Sequence, residues 1–383
     1  MKRLPTHAIP LLLALAGILL SPRTSAAQGA MADRPDTTIG AATRAAVLDT
    51  LVDRIDRYYV FPDVAKEVGR ALRKRAARHE YDALTSANAF ADSLTAHVQA
   101  VSHDKHMRVR YNPDYIPFGM GDHEDPTPAE LAEMRQSWRL RNYGFEKVQR
   151  LAGNVGYLDL RNFCSPQVGG GETAVAAMNF LGNCDALIVD LRRNGGGDPE
   201  MLDLLVSYLY EPGERVHLND FYMREGDRTE QYFTLSHAPG PHLAGKDVYV
   251  LTSPRTFSCA EEMAYDLQCL KRATLVGETT GGGANPGGMR RLDRHFMTFV
   301  PTGRAVNPVT KTNWEGVGVK PDVAVPAGDA LKTAHVAALK KLQEKATSDD
   351  DKKRLGRAIE EAEKTPPDPL TDMQPMRRAT AAH

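Results

Sequence analysis

The stretch Thr252 to Glu262 reads TSPRTFSCAEE. A strand-like run ends there, a turn follows, and a helix begins at or just after Ser258. A hydroxyl in that place sits at the positive end of a helix dipole, beside amides that lack intrahelical partners. Such surroundings suit a nucleophile whose attack generates an oxyanion. The spacing Ser258-x-x-Glu261 also fits a capping box, in which the serine only satisfies an amide. Cys259 is a rival nucleophile, or a small buried side chain. Upstream, Asp190 to Asp198 reads DLRRNGGGD. Three glycines between an apolar strand and a helix let backbone amides approach a ligand closely. The Gly-Lys-Ser/Thr ending of a phosphate loop is missing, and the glycine spacing is wrong for a dinucleotide fingerprint. The run is either an oxyanion donor or a tight strand-to-helix turn.

Two further segments carry candidate groups. Val101 to Arg108 reads VSHDKHMR. His103 and His106 stand three apart, but no third ligand follows at a zinc spacing, and no metal is expected. His106 can serve as a general base or simply as a surface or capping histidine. Between Asn307 and Asp322, Glu315 follows Trp314 in a turn-rich stretch. It either orients a histidine or is a solvated loop acid.

Positioning these groups requires two kinds of architecture. Ala41 to Val101 repeats apolar residues near helical spacing, as in Val47, Leu48, Leu51, Ile55 and Tyr58. This predicts an N-terminal helical domain over 41–111, the last few residues extended. Residues 112–150, rich at their start in Pro, Gly and Asp, read as a linker or loop region. From about Asn154 strands alternate with helices. Val155 to Leu160, Ala186 to Leu191, Val248 to Thr252 and Ala273 to Gly277 are strand-like. Helices are expected at Glu172 to Leu181, Pro199 to Leu209 and Cys259 to Leu270. That alternation predicts an α/β core with parallel strands over 151–330. Residues 331–383 are expected to hold one amphipathic helix, Lys332 to Lys345, and a disordered tail.

The 383 residues carry 48 bases and 49 acids. Without a basic excess, nucleic-acid binding is not expected. Residues 1–27 read as a cleavable signal: Lys2 and Arg3, then a 12-residue apolar run from Ile9 to Leu20, then Ser25-Ala-Ala27. That run is too short to span a bilayer, which needs about 20 residues, so no stable membrane span is expected after cleavage. Residues 28–40 are expected to form a flexible leader. A secreted or periplasmic location follows, and there Cys164, Cys184, Cys259 and Cys269 could pair or remain buried thiols.

Taken in order, the segments DKHMRV, GYLDLRNF, LIVDLRRNGGG, LTSPRTFSCAEEMAYDLQ, LVGETTGGGANPGG and NWEGVGVKPDVAV resemble the S41 family of serine peptidases. The likeness is to the branch of interphotoreceptor retinoid-binding modules and the tricorn core. It spans about Ala41 to Val325. The resemblance implies a ClpP/crotonase-like α/β core, an N-terminal helical domain and a C-terminal helix. It also implies Ser258 as nucleophile, with Gly196 and the Cys259 amide as oxyanion hole. Better-known members place a basic lysine beyond the serine. The matching Gly277 to Gly283 stretch here has none, so the resemblance implies His106 as base and Glu315 as its orienter. The fourth group is open: tricorn-like members have a serine directly before the histidine, whereas Lys105 stands there and Ser102 lies upstream. Lys105 is itself an alternative base. Only 42 residues separate Tyr111 from Asn154, too few for the PDZ domain that many relatives carry.

The expected activity is hydrolysis of peptides or unfolded chains by a secreted or periplasmic serine endopeptidase without cofactors. The competing expectations are a lipophilic-ligand binding module on the same fold and a small-substrate esterase or amidase.

Overall fold

The computed structural model describes residues 35–116 and 127–370. The expected signal segment, residues 28–34 of the leader and residues 371–383 lie outside them, while residues 37–40, expected to be flexible, are tied down: Thr38 bridges Ser86, and buried Ile39 donates its N–H to Thr85 O. Three helices come first: α1 (Ala41–Tyr58), α2 (Pro62–Ala77) and α3 (Ala87–Ser102). The short β1 (Val109–Tyr111) follows. Then come α4 (Pro128–Arg139), β2 (Phe145–Leu151), β3 (Val155–Leu160), α5 (Gly170–Leu181), β4 (Ala186–Asp190) and α6 (Pro199–Ser207). Next are β5 (His217–Met223), β6 (Arg228–Phe233), β7 (Asp247–Thr252), α7 (Cys259–Cys269) and β8 (Thr274–Gly277). The chain continues with β9 (Gly287–Arg291), β10 (Phe296–Pro301), β11 (Gly303–Val306), β12 (Val323–Ala324), α8 (Ala330–Lys345) and α9 (Asp349–Glu363).

The central sheet has six strands in the order β12-β8-β7-β4-β3-β2. Its first five strands run parallel, and β2 pairs antiparallel with β3 at the edge. Strands β3 and β4 are buried along their whole length, which is why ALIVD reads as an unbroken apolar run rather than an alternation. One face of the sheet packs on α5, α6 and α7 through residues such as Leu187, Val189, Leu202 and Met263. The other face packs on α8 and α9 through Ile188, Tyr249, Ala334 and Leu339. A separate core joins α1, α2 and α3 to the antiparallel sheet β1-β10-β9, with Phe90 against Phe296. A third sheet, β11-β5-β6, is also antiparallel.

Two further expectations are corrected. The tail beyond Ser348 is not all disordered: α9 occupies Asp349–Glu363 and buries Leu355, Ala358, Ile359 and Ala362 on one face. Its acidic opening triplet and Ser348, which accepts from Asp351 N–H, favour a helix start. The region 112–150 is likewise more than a linker. Thr127 and Glu130 form a capping box that starts α4, and β2 is an edge strand of the main sheet. Residues 117–126 of the expected loop lie outside the described residues. All four cysteines are free, and Cys164, Cys184 and Cys259 are buried. No helix among the described residues is long and apolar enough to cross a membrane.

Candidate active site

Three loops leave the carboxyl ends of β4, β7 and β8, the edge at which parallel sheets present ligand sites. They are interlocked. Ser253 Oγ and Thr256 Oγ1 of the β7 loop donate to the carbonyls of Arg192 and Leu191 in the β4 loop. Phe257 N–H donates to Asn194 O, and Gly281 N–H to Thr256 O. Beneath them, Asp190 and Arg192 form a buried ion pair at 2.6 Å, which Tyr157 OH joins through Asp190.

Ser258 ends the β7 loop and is the N-cap of α7. Its backbone is at φ 58°, ψ −128°. A non-glycine residue is strained there, and such strain collects at functional turns. The turn is held by Glu261, whose carboxylate accepts from Ser258 N–H at 2.9 Å, Gly283 N–H at 2.8 Å, Gly282 N–H at 2.6 Å and Thr280 Oγ1 at 2.5 Å. Burial nevertheless pushes Glu261 up to about 7, the four bonds acting the other way. Cys259 opens α7, so its N–H has no intrahelical partner. Its thiol is fully buried among Glu262, Asp198, Asp203 and Asp266, and burial and these charges raise its pKa well above normal. That is the opposite of a reactive thiolate.

Gly196 lies against the serine. A Cβ there would stand 2.8 Å from Ser258 Cβ, and its φ is +105°. Its own N–H, however, donates to Asn194 Oδ1 at 2.8 Å. The amide of Gly196 is therefore committed elsewhere, contrary to the expectation that it forms the oxyanion hole. Gly195 and Gly197, on either side of it, line the cleft.

His106 arrives from the other core. Helix α3 stops at His103, which takes the left-handed conformation and is exposed; that residue is a helix stop rather than a ligand. A turn then carries Asp104 and His106 inward. The imidazole lies between Phe257, with centroids 4.6 Å apart, and Phe299 at 5.3 Å. Both ring nitrogens are buried without a hydrogen-bond partner, so no bond joins His106 to Ser258 in this structure. Burial, with Arg108 nearby, lowers its pKa to about 3. The ring is neutral at physiological pH, the form that accepts a proton.

Glu315 reaches the same place from the loop before β12. Trp314, buried beside it, donates Nε1–H to Gly283 O at 2.8 Å. Glu315 Oε2 accepts from Ala284 N–H, and Oε1 has no partner. Burial and the charge of Asp104 push Glu315 up to about 8. Asp104 is the group that the sequence did not reveal. Its carboxylate accepts from His106 N–H at 2.9 Å and Asn285 Nδ2 at 2.8 Å, and lies 3.7 Å from His106 Nδ1. Burial raises it as well. One ligand atom from each of Asp104, His106 and Glu315 lies within 4.8 Å of the others, a grouping that could also hold a metal ion. Ser102 Oγ is used by Asp104 N–H, and Lys105 Nζ donates to Gly281 O. Neither takes the place beside the imidazole that the sequence left open.

Ser258 and His106 line one cleft of about 640 Å³, together with Gly195, Gly197 and the aromatic walls Phe257 and Phe299. A strained serine at a strand-to-helix turn and a neutral imidazole on one cleft, with two carboxyls behind the imidazole, are groups that a serine-type hydrolase needs. Comparison with known proteins narrows the class. Residues 154–325 match peptidase family S41, and residues 41–143 match the N-terminal domain of Peptidase_S41 in eukaryotic IRBP. The chain belongs to the S41 peptidases and is a serine-type peptidase. Among solved structures it is similar to a putative peptidase from Parabacteroides merdae, at 20% identity over 80% of this chain and 99% of that one, TM-score 0.53. It is also similar to mature CPAF complexed with lactacystin, at 13% identity over 84% of this chain and 100% of that one, TM-score 0.50. At such identities the likeness is one of fold.

Proposed function

We propose that Ser258 is the nucleophile of a secreted or periplasmic endopeptidase, with His106 as its base and Glu315 as the group that steadies the imidazolium. Serine is a weak nucleophile until a base within hydrogen-bond reach takes its proton. A neutral imidazole can take that proton and return it to the leaving amine. The attack forms a C–O bond from Ser258 Oγ to the carbonyl carbon, and its electron pair moves onto the carbonyl oxygen. The Cys259 amide, with that of Gly195 or Gly197, receives this oxyanion. Collapse expels the amine, and water then repeats the sequence on the ester. Asp104 shares the orienting role with Glu315, since both carboxyls lie beside the same imidazole. The secreted location rests on the apolar segment at residues 9–20.

The observation that carries this reading is the convergence of Ser258 and His106, 152 positions apart in the chain, on one cleft. The Ser258–His106 bond must form when substrate enters, as catalytic bonds often tighten only in the complex. The test is hydrolysis of casein and a mixed fluorogenic peptide panel by the chain from Gln28 onward, beside Ser258→Ala and His106→Ala. Loss of turnover in both variants, with unchanged circular dichroism, is expected. Turnover retained in Ser258→Ala would overturn the assignment. Turnover of short esters but of no peptide would select an esterase. Tight fatty-acid or retinoid binding without any turnover would select a carrier.

A further inference from the structure

The wall of the cleft is lined by five cationic side chains, Lys105, Arg108, Arg110, Arg193 and Arg255, against one acid, Glu262. The chain as a whole is balanced, so this excess is local. Two of the five are already engaged. Arg193 pairs with Asp368 at 3.1 Å and lies 3.7 Å from Asp159, and Lys105 donates to Gly281 O. The other three have no carboxylate partner among the described residues. Arg108 donates only Nε–H, to Lys105 O at 3.0 Å. Arg255 has Nη1 buried with no partner at all. Arg110 is exposed. Glu262 offers little compensation: it accepts from Asn219 Nδ2, and burial pushes it up to about 7.

We propose that this cleft selects peptide substrates carrying acidic side chains on both sides of the bond to be cut, with Arg108 and Arg110 receiving one carboxylate and Arg255 another. The proposal rests on the reading of the cleft as the peptidase site. Unpaired guanidinium groups in a partly enclosed groove focus the field and favour incoming carboxylates, often through two parallel N–H bonds. Arg108 carries the mark of this crowding, since burial and the charge of Arg110 both lower its pKa. An arriving carboxylate relieves that repulsion. Side chains fit better than a single free C-terminus because the cations come from separate elements. Arg108 and Arg110 stand two residues apart at the start of β1, where Arg108 O already accepts from Phe299 N–H of β10. Residues so spaced in extended chain point the same way, roughly 7 Å apart. Arg255 lies on the β7–α7 turn, three residues before Ser258. Two segments of the chain thus each offer a place for a carboxylate.

The experiment uses internally quenched peptides identical except for Asp/Glu, Asn/Gln or Lys on either side of a common central segment, each with a free and an amidated C-terminus. At low salt kcat/KM is expected to be about tenfold or more higher for the acidic than for the neutral peptide, lowest for the lysine peptide, and indifferent to amidation. The acidic-to-neutral ratio should fall toward one in 0.5 M salt, and also in Arg108→Gln/Arg255→Gln. Equal rates for acidic and neutral peptides overturn the proposal, as does a preference that vanishes on amidation. A second readout separates this from failure of the peptidase reading: anisotropy of the same peptides, dye-labelled, with Ser258→Ala protein. Acidic-selective binding without turnover in the wild type sinks the peptidase and keeps the charge selectivity. Turnover by the wild type, with no acidic preference in either rate or binding, sinks only the selectivity.

Discussion

Replacing Gly196 by alanine tests how the glycine run and the nucleophile turn are fitted together. The added Cβ would stand 2.8 Å from Ser258 Cβ, 2.9 Å from Phe257 O and 3.1 Å from Cys259 N. Carbon atoms rest about 3.5–4.0 Å apart, so the two loops must part by roughly 1 Å. Displacing a reacting group by about 1 Å costs on the order of 100-fold in rate. Alanine at φ +105° adds about 1–3 kcal/mol of backbone strain, which lowers Tm by roughly 1–4 °C in a chain of this size. The assay is kcat/KM on the best peptide of the panel, with thermal unfolding alongside. Gly195→Ala is the stability control, because its methyl would meet no atom within 4 Å. A Gly196→Ala protein with kcat/KM within threefold of wild type and unchanged Tm would refute the packing argument.

Glu315 and Asp104 face one imidazole, and burial and mutual repulsion hold Glu315 near 8. His106 stays neutral down to about 3, so it sets no acid limb above that pH. The kcat/KM profile should therefore rise with pH through a midpoint near 8 as Glu315 ionises. Glu315→Gln should lose the limb and about 10²–10⁴-fold of the plateau, as carboxylate-to-amide changes at such triads do; a limb near 6.5 that survives in Glu315→Gln would contradict this. Glu261→Gln turns an acceptor of four bonds into a group whose amide nitrogen faces N–H donors. A loss of about 2–4 kcal/mol in stability is expected from denaturant unfolding, with a lower kcat, and an unchanged midpoint would show that the carboxylate is not what ties Ser258 to the Gly282–Gly283 loop.

Much of the frame was legible. Strands β3, β4, β7 and β8 and helices α5, α6 and α7 announce themselves because a buried parallel strand is a short apolar run and Pro199 opens its helix at N1. What stayed hidden depended on distant partners or on composition. Helix α9 was masked by its charge, although Leu355, Ala358, Ile359 and Ala362 share a helical face. Helix α4 carried a local capping box in a stretch whose prolines and glycines suggested a loop. Strands β1 and β10 pair across more than 180 residues, which no local pattern can announce. At the site, Ser258 stood out by its turn, but Asp104 looked like any acid between two histidines. Its significance comes from Tyr59, Asn285 and Glu315, which the fold brings around it. The Asn194 side chain that occupies the Gly196 amide was likewise invisible, because an asparagine before glycines reads only as a turn residue.

The most direct measurement of the central claim is covalent capture of the nucleophile. Incubation of the protein with a fluorophosphonate, followed by digestion and mass spectrometry, should place the adduct on Ser258. Labelling should fall at least about 100-fold in His106→Ala, since removal of the base leaves the hydroxyl unactivated. An adduct on another serine or on Cys259, or labelling of Ser258 that is indifferent to His106, would contradict the account.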